Sequence, residues 1–140
     1  DVEADVRASL ETTEGLPAVV GHYDALLRAF RNLVRNAVEA MEDAPEKRLT
    51  VTVREADTDP AGRRWLDVRI ADTGAGLPPG SATRIFEPDF STKKRGTGLG
   101  LALVRQAVEA HGGHITAASR ETGAELIVLL PAGAPTDRKD

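Results

Sequence analysis

Gly96-Thr97-Gly98-Leu99-Gly100-Leu101 opens an amphipathic segment and follows directly on the cationic run Lys93-Lys94-Arg95. Glycines let a backbone approach a ligand closely and adopt positive φ, and the free N–H groups at the start of the helix they lead into favour an anion. The stretch therefore reads either as a phosphate grip or as a glycine-rich tight turn, and the cations beside it either as part of that grip or as a solvated loop. Familiar nucleotide loops are absent. No Gly-x-x-x-x-Gly-Lys-[Ser/Thr] occurs, and no Gly-x-Gly-x-x-Gly is followed by an acidic residue roughly 20 positions on. A phosphate pocket here needs another design.

Downstream of that loop, Leu101, Val104 and Val108 recur at helical spacing and Gly112-Gly113 supplies a stop, so a helix is expected over Gly98 to His111. Ile115 to Ser119 and Glu125 to Leu130 flank Thr122-Gly123 as a closing hairpin. Upstream, Leu49 to Arg54 and Trp65 to Ala71 alternate in polarity, are joined by the turn-rich 57–62, and are expected as central strands. Tyr23 to Met41 carries Leu26, Leu27, Phe30, Leu33, Val34, Ala37, Val38 and Met41 as a helical stripe. Val2 to Leu10 and Leu16 to Val20 alternate as two early strands. The elements add up to one α+β domain, a two-layer sandwich whose mixed or antiparallel sheet is covered by helices on one face. Residues 132–140 read as a frayed tail.

Composition bounds the function. A chain of 140 residues is large enough to bury roughly two thirds of the surface its unfolded form exposes. It has no cysteine, which removes disulfide frameworks and thiolate metal sites. No apolar run approaches the roughly 20 residues of a membrane span, and no signal peptide is visible, so a soluble, cytoplasmic domain is expected. A net charge of −4 argues against nucleic acid or an anionic membrane as partner.

Between Ala71 and the second helix lie about 25 residues rich in glycine, proline and charge, longer than a compact domain needs and characteristic of a functional lid or a disordered segment. The loop begins at Asp72-Thr73-Gly74-Ala75-Gly76-Leu77. Asp72 either projects a carboxylate into a crevice, where Gly74 and Gly76 clear room for a flat ligand, or makes an Asx turn. A carboxylate in an apolar pocket would accept a hydrogen bond from the amine of adenine and repel the carbonyl oxygen of guanine. On the first helix Asn32 and Asn36 lie four apart, with Arg28, Arg35 and Glu39 on the same polar arc. Asparagine costs roughly half a kcal/mol against alanine in a helix. The pair is either a solvated face or a ligand set, and an amide oxygen suits Mg2+.

Asn32-Leu33-Val34-Arg35-Asn36-Ala37, Asp72 to Leu77, Ile85-Phe86-Glu87-Pro88-Asp89-Phe90-Ser91-Thr92-Lys93 and Gly96 to Ala102 together resemble the N, G1, F and G2 boxes of sensor histidine kinases, in order and at family spacing. Nearly the whole chain is similar to the catalytic and ATP-binding domain of the GHKL superfamily, above all in kinases of the nitrogen-regulation type. The resemblance implies the Bergerat fold, a mixed five-stranded sheet covered on one face by three helices. It implies a catalytic domain over 1–131, an ATP lid at about 73–98 and a flexible tail over 132–140. Asn36 would hold Mg2+ on the ATP phosphates, Asn32 would assist, and Asp72 would take the adenine amine with Gly74 and Gly76 shaping the pocket. Ala40, Leu77 and Leu101 would line the nucleotide. Lys93, Thr97 and the backbone of Gly98, Leu99 and Gly100 would meet the phosphates, with Asn32, Asn36 and Lys93 as the catalytic set. Phe86 and Phe90 would anchor the lid and dock on a partner helix.

In ATP-hydrolysing relatives of the superfamily a Glu four residues before the metal-binding Asn acts as general base. This chain has Asn32 there, which takes no proton at neutral pH, so the resemblance implies phosphotransfer and not hydrolysis. The acceptor would be a histidine on a separate dimerisation and phosphoacceptor domain, in the parent chain or in trans, with a response regulator downstream. The resemblance allows a membrane-anchored parent, with this domain cytoplasmic and making no membrane contact. His22, His111 and His114 all lie outside a phosphoacceptor-type helix, and His111 is expected to serve a helix C-terminus. Three departures stand out. Glu39 replaces a frequent phosphate-binding cation, Asp89 a common Phe, and Ala124 a frequent Thr or Ser, which implies phosphate contacts from the lid cations and a lost polar contact near adenine. A GHKL-type protein serine kinase of the anti-sigma kind, or a non-catalytic nucleotide-binding scaffold, is the alternative. The segment from Pro78 to Arg95, poor in apolar anchors, is expected to move without ligand.

Overall fold

The computed structural model describes residues 6–88, 90 and 100–133. Strands β1 (Arg7–Thr12), β2 (Arg48–Glu55), β3 (Trp65–Ala71), β4 (His114–Ser119) and β5 (Ala124–Pro131) form one sheet in the order β1-β2-β3-β5-β4. β1 runs parallel to β2 and every other pair is antiparallel, so the sheet is mixed. The parallel step requires a crossover, supplied by helix α1 (Tyr23–Ala40). Helix α2 (Gly100–Ala110) joins the long loop to β4, and a short 3-10 turn spans Arg84–Phe86. The described residues thus hold two α-helices and one 3-10 turn against the three helices expected.

Burial follows the two periodicities. Along β5, Ala124, Leu126, Val128 and Leu130 are buried while Glu125, Ile127 and Leu129 are half-buried. The inner face of the sheet meets Leu33 and Ala37 of α1, Met41 just after it, and Val104 and Val108 of α2, the latter two at most 1% exposed. The outer face is mixed, with Ile127 and Leu129 beside an ion-paired cluster. Arg69 reaches Asp67 at 2.9 Å on its own strand and Glu125 at 3.8 Å across to β5.

The early strands differ from expectation. β1 ends at Thr12, two residues beyond the expected Leu10, and is exposed along its length, because as the edge strand its neighbour on one side is solvent. Residues 1–5 of the expected strand lie outside the described residues. Leu16 to Val20 is no strand: Pro17 has no N–H to give a ladder, and the segment serves β5 instead, with the Ala18 carbonyl accepting from Gly133 N at 2.7 Å. Ala132 N donates to Arg64 O at 2.8 Å, so backbone pairing continues past Pro131. The stripe on α1 is also rotated: Ala29 is buried, whereas Leu27 is 36% exposed.

Candidate nucleotide site

β3 is the central strand, and Asp72 follows its last residue, 5% exposed, between the α1 end and the β4–β5 turn. Its Oδ1 accepts from Gly74 N at 2.9 Å and from Ala124 N at 3.3 Å. The first bond makes the expected Asx turn. Oδ2 has no partner among the described residues and is not sealed from solvent. The carboxyl pKa is pushed up from its ordinary value chiefly by burial, against the two backbone N–H groups and the charge of Arg120. A desolvated carboxylate with one oxygen oriented by the backbone and the other open is built to accept from an amine.

Glycines hold this loop in place. A Cβ on Gly74 would fall inside contact distance of the Ala40 carbonyl, and Ala75 N donates to that carbonyl at 3.3 Å. The space at Gly74 is therefore taken by the end of α1, and the expectation that this glycine clears room for a ligand is corrected: it lets the loop close on the helix. Gly76 has φ +84°, with Gly123 O at 3.3 Å from the Cβ it lacks. Gly123 itself abuts the Asp72 carbonyl so closely that no side chain fits. Thr73 Oγ1 donates to Glu46 O at 2.7 Å and accepts from Arg48 N at 2.9 Å, pinning the loop to the α1–β2 connection.

From Ala40 the site runs up α1. Asn36 and Asn32 are half-buried, and neither amide has a hydrogen-bond partner among the described residues. Successive positions four apart lie about 6 Å along the same face. The row Asn32, Asn36, Ala40 therefore leads to Gly74 and so to Asp72. Leu77 is half-buried, its N donating to Ser119 Oγ at 3.4 Å. Gly100 begins α2 in open space and Leu101 packs on the core. Lys93, Thr97, Gly98, Leu99 and Asp89 lie outside the described residues.

Phe86 is 3% exposed, with Ile85 buried beside it. The turn is held by Ser81 Oγ donating to Pro78 O at 2.6 Å and by Arg84 N donating to Ser81 O at 2.9 Å. Two expectations are corrected here: the first half of the 78–95 segment has apolar anchors, and Phe86 is sealed in the core and not offered to a partner. Phe90 is half-buried under the Arg84 guanidinium, 5.4 Å from its ring centre. His111 Nδ1 donates to Ala107 O at 2.7 Å while Nε2 accepts from His22 N at 3.0 Å, so the ring closes the end of α2 and ties it to the start of α1. His114 stacks on Trp65.

Sequence reasoning passed over Gly123 as a packing glycine, Thr73 as a clasp and Ala124 as a backbone donor. A Gly-Ala pair in a hairpin turn signals the first of these, but the partners of the other two come from distant strands. Ala124 does give a polar contact near the site, through its N–H.

Residues 21–134 match the model of the histidine kinase-, DNA gyrase B- and HSP90-like ATPases. The chain is 33% identical over 144 aligned residues to the sensory histidine kinase/phosphatase NtrB of Rhizobium leguminosarum bv. phaseoli, an alignment covering 97% of this chain and 38% of that protein. The solved mycobacterial sensor histidine kinase MprB superposes with a TM-score of 0.73 at 32% identity, over 92% of this chain and 83% of that one. ThkA, solved in complex with the response regulator protein TrrA, superposes with a TM-score of 0.75 at 26% identity, over 97% of this chain and 36% of that one. The chain belongs to this ATPase family and, within it, to the histidine kinase catalytic domains. It spans about a third of the length of the curated kinases it matches. Among the described residues no helix is long and apolar enough to cross a membrane.

Proposed function

We propose that this chain binds Mg-ATP and transfers the γ-phosphoryl group to a histidine on a separate dimerisation and phosphoacceptor domain, as the cytoplasmic catalytic part of a nitrogen-regulation-type sensor kinase. The observation that carries it is the row of unpartnered amides, Asn32 and Asn36, that ends at Ala40 against the loop of the buried Asp72 carboxylate. Adenine lies at Asp72 Oδ2, lined by Ala40, Gly76 and Leu77 on the loop that Gly74 closes against the helix, and the phosphates extend toward Asn36 and Asn32. Phe86 acts from beneath as the buried anchor of the loop.

The donor set suits Mg2+. Asn36 offers a hard amide oxygen free of other bonds, and no group of three His, Cys, Asp or Glu stands ready among the described residues, so an ion held here takes its other oxygens from phosphates and water. When bound, it would neutralise phosphate charge. Asn36 orients the polyphosphate and Asn32 steadies its outer end, while neither takes up a proton. Lys93, Thr97, Gly98, Leu99, Gly100 and Leu101 enter on the family resemblance as the phosphate side of a lid over 73–98. The bond from the γ-phosphorus to the β–γ bridging oxygen of ATP breaks, releasing ADP, as a bond forms to an imidazole nitrogen, through a loose transition state that positioning and charge neutralisation serve best. His111, with both ring nitrogens bonded, is no acceptor. The catalytic domain is residues 1–131 and the tail 132–140, the first two residues of which are hydrogen-bonded to the body. A response regulator is the downstream partner.

Calorimetry of ATP, ADP and GTP with and without Mg2+, on the wild type and Asn36→Ala, tests the reading. Adenine-selective binding whose Mg2+ dependence disappears in the variant is expected. Binding of GTP as tight as ATP, or an unchanged Mg2+ dependence, would overturn the assignment.

A further inference from the structure

We propose that Arg35, with Arg28 beyond it, forms a cationic rim for the terminal phosphate of the bound nucleotide; this rests on the nucleotide reading above. Asn32 lies three residues before Arg35 and four after Arg28, and residues at these spacings are neighbours on a helix, their Cβ atoms about 5–6 Å apart. Helical side chains lean toward the N-terminus, which brings the Arg35 guanidinium level with Asn32. Both arginines are exposed, and neither has an ion pair or hydrogen bond among the described residues. Among the described residues Arg48, Arg64, Arg69 and Arg105 are committed to carboxylates, whereas Arg31 and Arg54, like Arg28 and Arg35, are not.

The direction of the site gives these cations their use. Its base end is closed where Ala40 meets Gly74, so a nucleotide seated on Asp72 can extend its phosphates only toward the start of α1, past Asn36 to Asn32. The terminal phosphate then arrives where Arg35 reaches in from the solvent side. In a chain of net charge −4, two uncommitted cations on one helix face make a local positive field that attracts a polyphosphate and rewards its last charge most. With an acid, Glu39, one turn further on, Arg35 supplies the cation nearer Asn32. A merely solvated face would show no preference among nucleotides.

Calorimetry of ATP, ADP and AMP with Mg2+ on the wild type, Arg35→Gln, Arg35→Lys and Arg28→Gln separates the two. Arg35→Gln is expected to weaken ATP about fivefold to tenfold, the range of a partly solvated charge-assisted bond, while changing ADP and AMP less than twofold. Arg35→Lys should recover most of the loss, and Arg28→Gln should show the same selectivity at about twofold. Equal losses for all three nucleotides, or none for ATP, would overturn the rim while leaving nucleotide binding intact. Failure of the wild type to bind any of them would overturn the nucleotide reading and the rim together.

Discussion

On the reading proposed above, Asp72 would join stability to recognition in one side chain. Burial raises its pKa in the folded chain above the ordinary value of 3.8. The folded state therefore holds its proton more tightly than the unfolded state. Its contribution to stability is fully present below the unfolded value and is lost as pH rises through the higher folded value, after which the buried charge is a standing cost. Asp72→Asn keeps an Oδ1 for Gly74 and Ala124 but carries no charge. We expect its unliganded Tm to exceed that of the wild type at pH 7, with the gap closing below pH 3.8, measured by thermal unfolding across pH. The same variant should lose adenine binding, because its remaining amide cannot reproduce a carboxylate acceptor. A wild-type advantage in the unliganded state at neutral pH would refute the account.

At the scale of elements, the loop that carries Asp72 is held by its neighbours more than by its own sequence. The 3-10 turn buries Phe86, and Phe86→Ala is expected to cost about 3–5 kcal/mol in urea unfolding, as for other buried phenylalanines. A loss of activity in that variant would then report the fold and not a docking contact. The two helices are tied end to end by His111, whose acceptor nitrogen takes the N–H of the residue that opens α1. His111→Ala leaves that N–H and the Ala107 carbonyl without this partner and should cost about 1–2 kcal/mol, with faster hydrogen exchange at His22 as its local sign.

For the whole molecule, the site is a seam where α1, the end of β3 and the β4–β5 turn meet, so a ligand there bridges parts of the chain far apart in sequence. ATP with Mg2+ at a hundred times its Kd should stabilise the folded chain by about 2.7 kcal/mol, seen as a rise in Tm that a chelator reduces. The absence of any ATP-dependent rise would count against a site built across the seam.

The local periodicities were enough for α1, β2, β3, β5 and the α+β class, because each buries one face against a shared core and its side chains must repeat at 3.6 or 2 residues. The same patterns made Asn32, Asn36 and Asp72 stand out as polar residues where a helix or strand has no use for them. Leu16 to Val20 failed the same test, since alternation says nothing about whether a neighbouring strand has a free edge to offer. What lay beyond the sequence was contact between distant segments: Gly74 against Ala40, Gly123 against Asp72, Thr73 against the α1–β2 loop, and Phe86 sealed in the core. These depend on chain packing in three dimensions, where a missing side chain or a single N–H is meaningful only once its partner is known.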